Sequence, residues 1–233
     1  MSTNQVSFLR HNLFFGPEDV QDVTLNIIGV GATGSWVGLL AAKMGFHKFQ
    51  VWDADLVESH NCPNQIYDID HVGLRKVDAF DQVLKRFNKN VTVTKHNEFF
   101  SSSEHMHLLG DAVFIAVDSN AARRDIVSGV KSNEDVEIVF ETAMGFEHAL
   151  LRCFTPFQTK FIDNYLSLLK DDSEIEESAC NARIITTLTN IVASSLVHIL
   201  CDYYSSSRRK QTFKITNTQL FNLTSILTTY SRF

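Results

Sequence analysis

Apolar residues in this chain fall into two alternating patterns: short unbroken runs, and longer stretches spaced three or four apart. "VTLNIIGV" (residues 23–30) is a β-rich run closed by glycine and reads as a buried strand. Residues 32–44 are small and apolar, free of proline, and Gly45 stops them as a residue past a helix end would. "KFQVWD" predicts the next strand and ends at Asp53, which makes a βαβ unit with parallel strands and a right-handed crossover. "GLRKVDAFDQVLKRFN" then places Val77, Phe80, Val83, Leu84 and Phe87 on one side of a helix. "VTVTKH", "DAVFIAVD" (ending at Asp118) and "VEIVFETA" add three more strands. The alternation predicts an α/β protein with a doubly wound, mostly parallel sheet.

Beyond residue 150 the pattern changes. "KDDSEIEESAC" is acidic and reads as a solvated, mobile or crossing surface segment, about 165–180. "NARIITTLTNIVASSLVHILCDYY" predicts a long helix whose β-branched content calls for a packed rather than a free-standing helix. "SSSRRK" marks a turn, and "QTFKITN" and "LFNLTSILTTY" predict closing strands. With no repeat or low-complexity tract, residues 1–233 read as a single domain with an N-terminal arm, 1–22.

Composition narrows the class. The chain has 233 residues, is 44% hydrophobic and 21% charged, and carries a net charge of −6, which opposes a broad nucleic-acid surface. "IVASSLVHIL" is too short and too polar-flanked to span a bilayer, and the first residues lack the apolar core of a signal peptide. Four cysteines (Cys62, Cys153, Cys180, Cys201) are scattered without a CxxC pair, as expected of a reducing compartment; the expectation is a cytoplasmic protein.

The chemistry starts at Gly29, Gly31 and Gly34. This GxGxxG sits between a strand and a helix, where the first glycine permits a tight turn, the second admits a phosphate and the third lets helix and strand close up. The helix N-terminus behind it suits phosphate. Asp53, ending the second strand, is placed to accept hydrogen bonds from a ribose. A nicotinamide-dependent dehydrogenase would need nothing more, yet Asp55, Asn61 and Lys76 follow, and no group for hydride-transfer acid–base work stands out.

Taken in order, "GVGATGS", "VWDADLVESHNCPNQ", "VGLRK" and "AVDSNAARR" resemble the E1-like activating enzymes, the ThiF/MoeB/HesA superfamily. The resemblance extends to "FLRHNLFF" at the arm and to the segment from Cys180 into the long helix. It implies a Rossmann-like fold of the E1/ThiF type and an ATP-dependent adenylyltransferase. Its substrate would be the C-terminal carboxylate of a ubiquitin-like or sulfur-carrier protein. By that resemblance Gly29, Gly31, Gly34, Asp53, Asp55, Asn61, Gln65 and Lys76 line an ATP site. Asp118 holds Mg2+, a hard cation that prefers carboxylate oxygen. Arg10 reaches a partner subunit's site in a homodimer, and Cys180 matches a cysteine that in some relatives joins the carrier covalently. Arg123 matches the arginine that follows the metal aspartate.

One departure counts against activity: the pattern's arginine in NxxRQ is Asn64 here, so a permanent cation is missing unless Arg75 supplies it. No set of four soft ligands at finger spacing is present, so no zinc is expected. Glu176 and Glu177 would raise, not lower, a thiol pKa at Cys180. Two further readings share this fold: activation of a small-molecule or tRNA carboxylate, and a degenerate E1-like subunit acting as a dimerisation or partner-binding scaffold.

Overall fold

The computed structural model describes residues 6–145, 148–174, 186–206, 209–222 and 227–231. Eight strands form one sheet: β1 (Thr24–Ile28), β2 (Lys48–Trp52), β3 (Thr92–His96), β4 (Asp111–Ile115), β5 (Val136–Met144), β6 (His148–Phe154), β7 (Thr218–Asn222) and β8 (Leu227–Ser231). Their spatial order is β3-β2-β1-β4-β5-β6-β7-β8. The first five are parallel, and β6, β7 and β8 continue the sheet antiparallel. The order reverses between β1 and β4, the switch point where such sheets open a crevice at the carboxyl ends of their strands.

The helices are α1 (Ala32–Met44), α2 (Lys76–Phe87), α3 (Ser102–His105), α4 (Asn120–Val130), α5 (Thr159–Leu168) and α6 (Thr186–Ser206). They cover both faces. Leu25, Ile27, Ala112 and Phe114 pack with Val37 and Ala41 of α1, Phe80 and Leu84 of α2, and Val192 and Leu196 of α6. The alternate strand positions Ile28, Val113 and Ile115 pack with Ile126 and Val127 of α4 and Ile162 of α5. The period-two side-chain alternation of a strand therefore serves two cores, which is why β4 reads as an unbroken apolar run.

Gly45 ends α1 at φ 117°, in the left-handed region, as its place in the sequence predicts. Three expectations need adjustment. "QTFKITN" forms no strand; its residues run irregularly until Thr218 begins β7, and Asn217 there donates its side-chain amide to the Cys153 carbonyl. "DAVFIAVD" leaves the sheet at Ile115, so Asp118 stands on the loop beyond the strand. The acidic segment begins later than 165, because apolar Phe161, Ile162 and Tyr165 hold α5 against the sheet through Leu168. Among the described residues no helix is long and apolar enough to cross a membrane.

Candidate functional site

Three loops meet at the carboxyl edge of β1, β2 and β4. The turn after β1 starts at Gly29, which adopts φ 92°; a Cβ there would stand 2.7 Å from the Ala116 carbonyl oxygen. The turn is thus pressed against the chain leaving β4, where the Ala116 N–H donates to the Ile28 carbonyl at 2.9 Å. Gly34 is held more tightly, since its Cβ would fall 1.9 Å from the Gly29 oxygen. Gly31, the N-cap of α1, is different: nothing lies within 4 Å of where its Cβ would be. That open space sits at the start of a helix whose first N–H groups lack intrahelical partners.

The loop after β2 is tied to this turn by Asp53. One carboxylate oxygen accepts the Val30 N–H at 2.9 Å and the other the Asp55 N–H at 3.0 Å. Burial pushes the Asp53 carboxyl upward, while Lys76 and these two N–H groups pull it back. Lys76 opens α2 and is buried, not solvated. Its ammonium pairs with Asp55 at 2.7 Å and lies 4.0 Å from Asp53. A carboxylate offers about four acceptor positions, so Asp53 keeps lone pairs beyond those the backbone uses.

The segment 61–67 lies across the first turn of α1. The Trp36 indole N–H donates to the Asn64 carbonyl at 3.1 Å, the Ile66 N–H to the Ser35 hydroxyl at 3.3 Å, and the Tyr67 hydroxyl to the Val30 carbonyl at 2.7 Å. Asn61 and Gln65 are both buried. The Asn61 side chain caps its own loop by accepting from the Glu58 N–H at 2.9 Å. The side-chain oxygens of Asn64 and Gln65 are buried without a hydrogen-bond partner, an unusual state that calls for a ligand or water. The Thr186 hydroxyl, at the start of α6, donates to the Pro63 carbonyl and brings that helix end to the same loop.

Asp118 is exposed beyond β4, and its carboxylate has no partner among the described residues. Immediately after it, Asp172 from the acidic segment caps α4: its carboxylate accepts from the Ser119 hydroxyl at 2.8 Å, the Asn120 N–H at 2.7 Å and the Ala121 N–H at 3.0 Å. No sequence signal marked Asp172, one acid among several in a polar run. Arg123, matched to a family arginine, turns inward to Glu141 instead of facing the crevice. Arg10 is exposed on the arm and makes no described contact with the other candidates, and Cys180 lies outside the described residues. Cys153 and Cys201 are buried, which drives their thiols well up; Cys201 serves packing, and Cys62 is half-buried.

No group of three or more His, Cys, Asp or Glu side chains among the described residues is placed to hold a metal by itself. The exposed Asp118 carboxylate is an oxygen donor of the kind a hard cation such as Mg2+ takes beside nucleotide phosphate and water. The sequence pattern of the ThiF family matches residues 10–231. The chain belongs to the ThiF family. Among curated relatives of this ThiF-family chain, "Ubiquitin-like modifier-activating enzyme 5" of Branchiostoma floridae is 28% identical over 208 residues, covering 80% of this chain and 50% of the relative. The protein of the same description from Drosophila persimilis is 33% identical over 89 residues, 38% of this chain and 23% of its own. The chain thus spans half or less of the length of these relatives.

Solved structures share the fold at low identity. Escherichia coli MccB, crystallised with ATP, gives a TM-score of 0.72 at 14% identity, covering 92% of this chain and 65% of its own. PaaA gives 0.70 at 20% identity with the same coverage. The E. coli tRNA N6-threonylcarbamoyladenosine dehydratase TcdA gives 0.65 at 17% identity, covering 84% of this chain and 91% of its own.

Proposed function

We propose that this ThiF-family chain is an ATP-dependent adenylyltransferase acting on the C-terminal carboxylate of a ubiquitin-like or sulfur-carrier protein. The observation that carries the reading is the convergence at one sheet edge of an open glycine turn, the Asp53–Asp55–Lys76 cluster and the unpartnered Asp118. In adenylation a carboxylate oxygen attacks the α-phosphorus of ATP, the α–β phosphoanhydride breaks and pyrophosphate leaves. Such a reaction needs alignment and charge neutralisation more than covalent help.

The residues divide that work. The N–H groups of the α1 start face the space over Gly31 and suit phosphate. The free lone pairs of Asp53 suit ribose hydroxyls. Asn61 and Gln65 line the triphosphate side, with the orphaned Gln65 oxygen as a polar group in need of a partner. Lys76 supplies a fixed cation, which nucleotide phosphate would share with Asp55. Asp118 would hold Mg2+, which neutralises phosphate charge when bound. Asn64 brings no charge to the place of the family arginine, and Arg75, exposed beside Lys76, is the cation available instead. Arg10 would complete the site from a partner subunit, and Cys180 is the covalent candidate by family position.

Titration calorimetry of ATP with Mg2+, beside NAD, tests the reading on wild type and Asp118→Ala. The expected result is ATP binding that weakens about tenfold or more in the variant, no NAD binding, and pyrophosphate exchange once a carrier is supplied. A wild type that binds no ATP would overturn it in favour of a degenerate scaffold subunit.

A further inference from the structure

A buried ion triad joins β5, β6 and α4. Glu141 on β5 is fully buried; one carboxylate oxygen accepts from an Nη of Arg152 at 2.6 Å, and the other lies 3.1 Å from the Arg123 Nε as an ion pair without hydrogen-bond geometry. Burying a carboxylate is costly unless it is paired, but one arginine would suffice for that. Two arginines leave the triad with a net positive charge, and they do different things. Arg152 stacks on the Tyr165 ring at 4.4 Å and stays within the β6–α5 side. Arg123 uses its two Nη groups on the loop that carries Asp118 and on β5. Its Nη2 donates to the Val117 carbonyl at 2.6 Å and the Thr142 carbonyl at 3.2 Å; its Nη1 donates to the Asn120 side chain at 3.0 Å and the Asp118 carbonyl at 3.4 Å.

The backbone around Asp118 is therefore held by one guanidinium, while the Asp118 carboxylate itself is left exposed. We infer that Arg123 is a positioning residue: Glu141 fixes its guanidinium, the guanidinium fixes residues 117–120, and the Asp118 carboxylate is thereby aimed at the cation accompanying a triphosphate. The inference rests on the adenylation reading for its last step only. A planar fork of five donors makes these contacts together, and a lysine ammonium does not.

The test compares Arg123→Lys with Arg152→Lys, which keeps a cation on Glu141 but touches no part of the loop. Amide hydrogen exchange is followed over residues 117–122, and ATP binding is measured with and without Mg2+. In Arg123→Lys, exchange in the loop and the Mg2+ concentration for half-maximal ATP binding are each expected to rise about tenfold, the scale of lost outer support at a metal ligand. Metal-free ATP binding stays at the wild-type value, and Arg152→Lys behaves as wild type. Unchanged loop exchange in Arg123→Lys, or equal loss of affinity with and without Mg2+, would overturn the inference. If the wild type binds no nucleotide while Arg123→Lys still loosens the loop, the adenylation reading falls and the loop-holding role stands. Should Arg123→Lys not fold, Glu141→Gln, which keeps the guanidinium and weakens its anchor, is read by the same measurements.

Discussion

A Cβ on Gly34 would lie 1.9 Å from the Gly29 carbonyl oxygen, with backbone and not a movable side-chain tip as the obstacle. Gly34→Ala is therefore expected to cost about 1–3 kcal/mol or more, read from urea unfolding. Gly31→Ala should behave differently. Its Cβ meets nothing, so the only cost is that of a backbone at φ −77° and ψ −140°, outside the regions side chains favour; Gly31→Ala should lose less stability than Gly34→Ala while ATP affinity falls. Similar loss of stability in both variants would show that the glycines serve packing alone. These glycines were legible in the sequence because spacing encodes backbone geometry within one turn. The Arg123–Glu141–Arg152 triad was not: its members come from three elements, and only strand pairing reveals that Glu141 and Arg152 stand opposite each other.

Among the elements, α4 shows how a helix end is shared. Ser119 supplies its own cap to the Ala122 N–H at 3.3 Å, and Asp172 covers the Asn120 and Ala121 N–H groups from another part of the chain. Those N–H groups, with the Ser119 hydroxyl, hold the Asp172 carboxyl below the ordinary aspartate value of 3.8. Because the native state binds this proton less readily than the unfolded chain, the cap's contribution is complete above that value and lost as pH falls through the lower, native one. Protection of the Asn120 and Ala121 amides, corrected for intrinsic exchange, should accordingly persist from neutrality to mild acid and then fall. In Asp172→Ala both amides should exchange several-fold faster at neutral pH, with Ala122 less affected. Equal protection in wild type and variant would dismiss the cap. The strands were readable from their apolar runs, α2 from its periodicity, and α1 and α6 from long apolar stretches free of proline. By contrast, α5 was hidden by the acidic composition that follows it, and "QTFKITN" meets β6 at its last residue, where the Asn217 carbonyl accepts the Cys153 N–H.

Across the whole molecule the two edges of the parallel sheet are built differently. At the amino edge, buried Asn26 of β1 donates to the carbonyls of Gly110 at 2.6 Å and Ala112 at 3.1 Å, and the Asp111 carboxylate accepts the Thr24 N–H at 2.8 Å. Those bonds pin β1 to β4 where the crevice does not open. A polar residue inside an apolar strand gives no hint from sequence of which neighbour it joins. At the carboxyl edge the same two strands lead into the glycine turn and the Asp118 loop, which meet through backbone at Ala116.

The contact between Trp36 and Asn64 gives the protein an optical readout of its own. The chain has two tryptophans: Trp52 is sealed in the core, and Trp36 is partly exposed with its indole N–H bonded to the loop that carries Asn64 and Gln65. Indole emission follows local polarity and hydrogen bonding, so a nucleotide that shifts this loop should change the fluorescence without any added dye. Titrating ATP with Mg2+ into wild type is expected to give a saturable change in emission, and Trp36→Phe should abolish it. A change that survives in Trp36→Phe would place the responding group at Trp52, the buried end of β2.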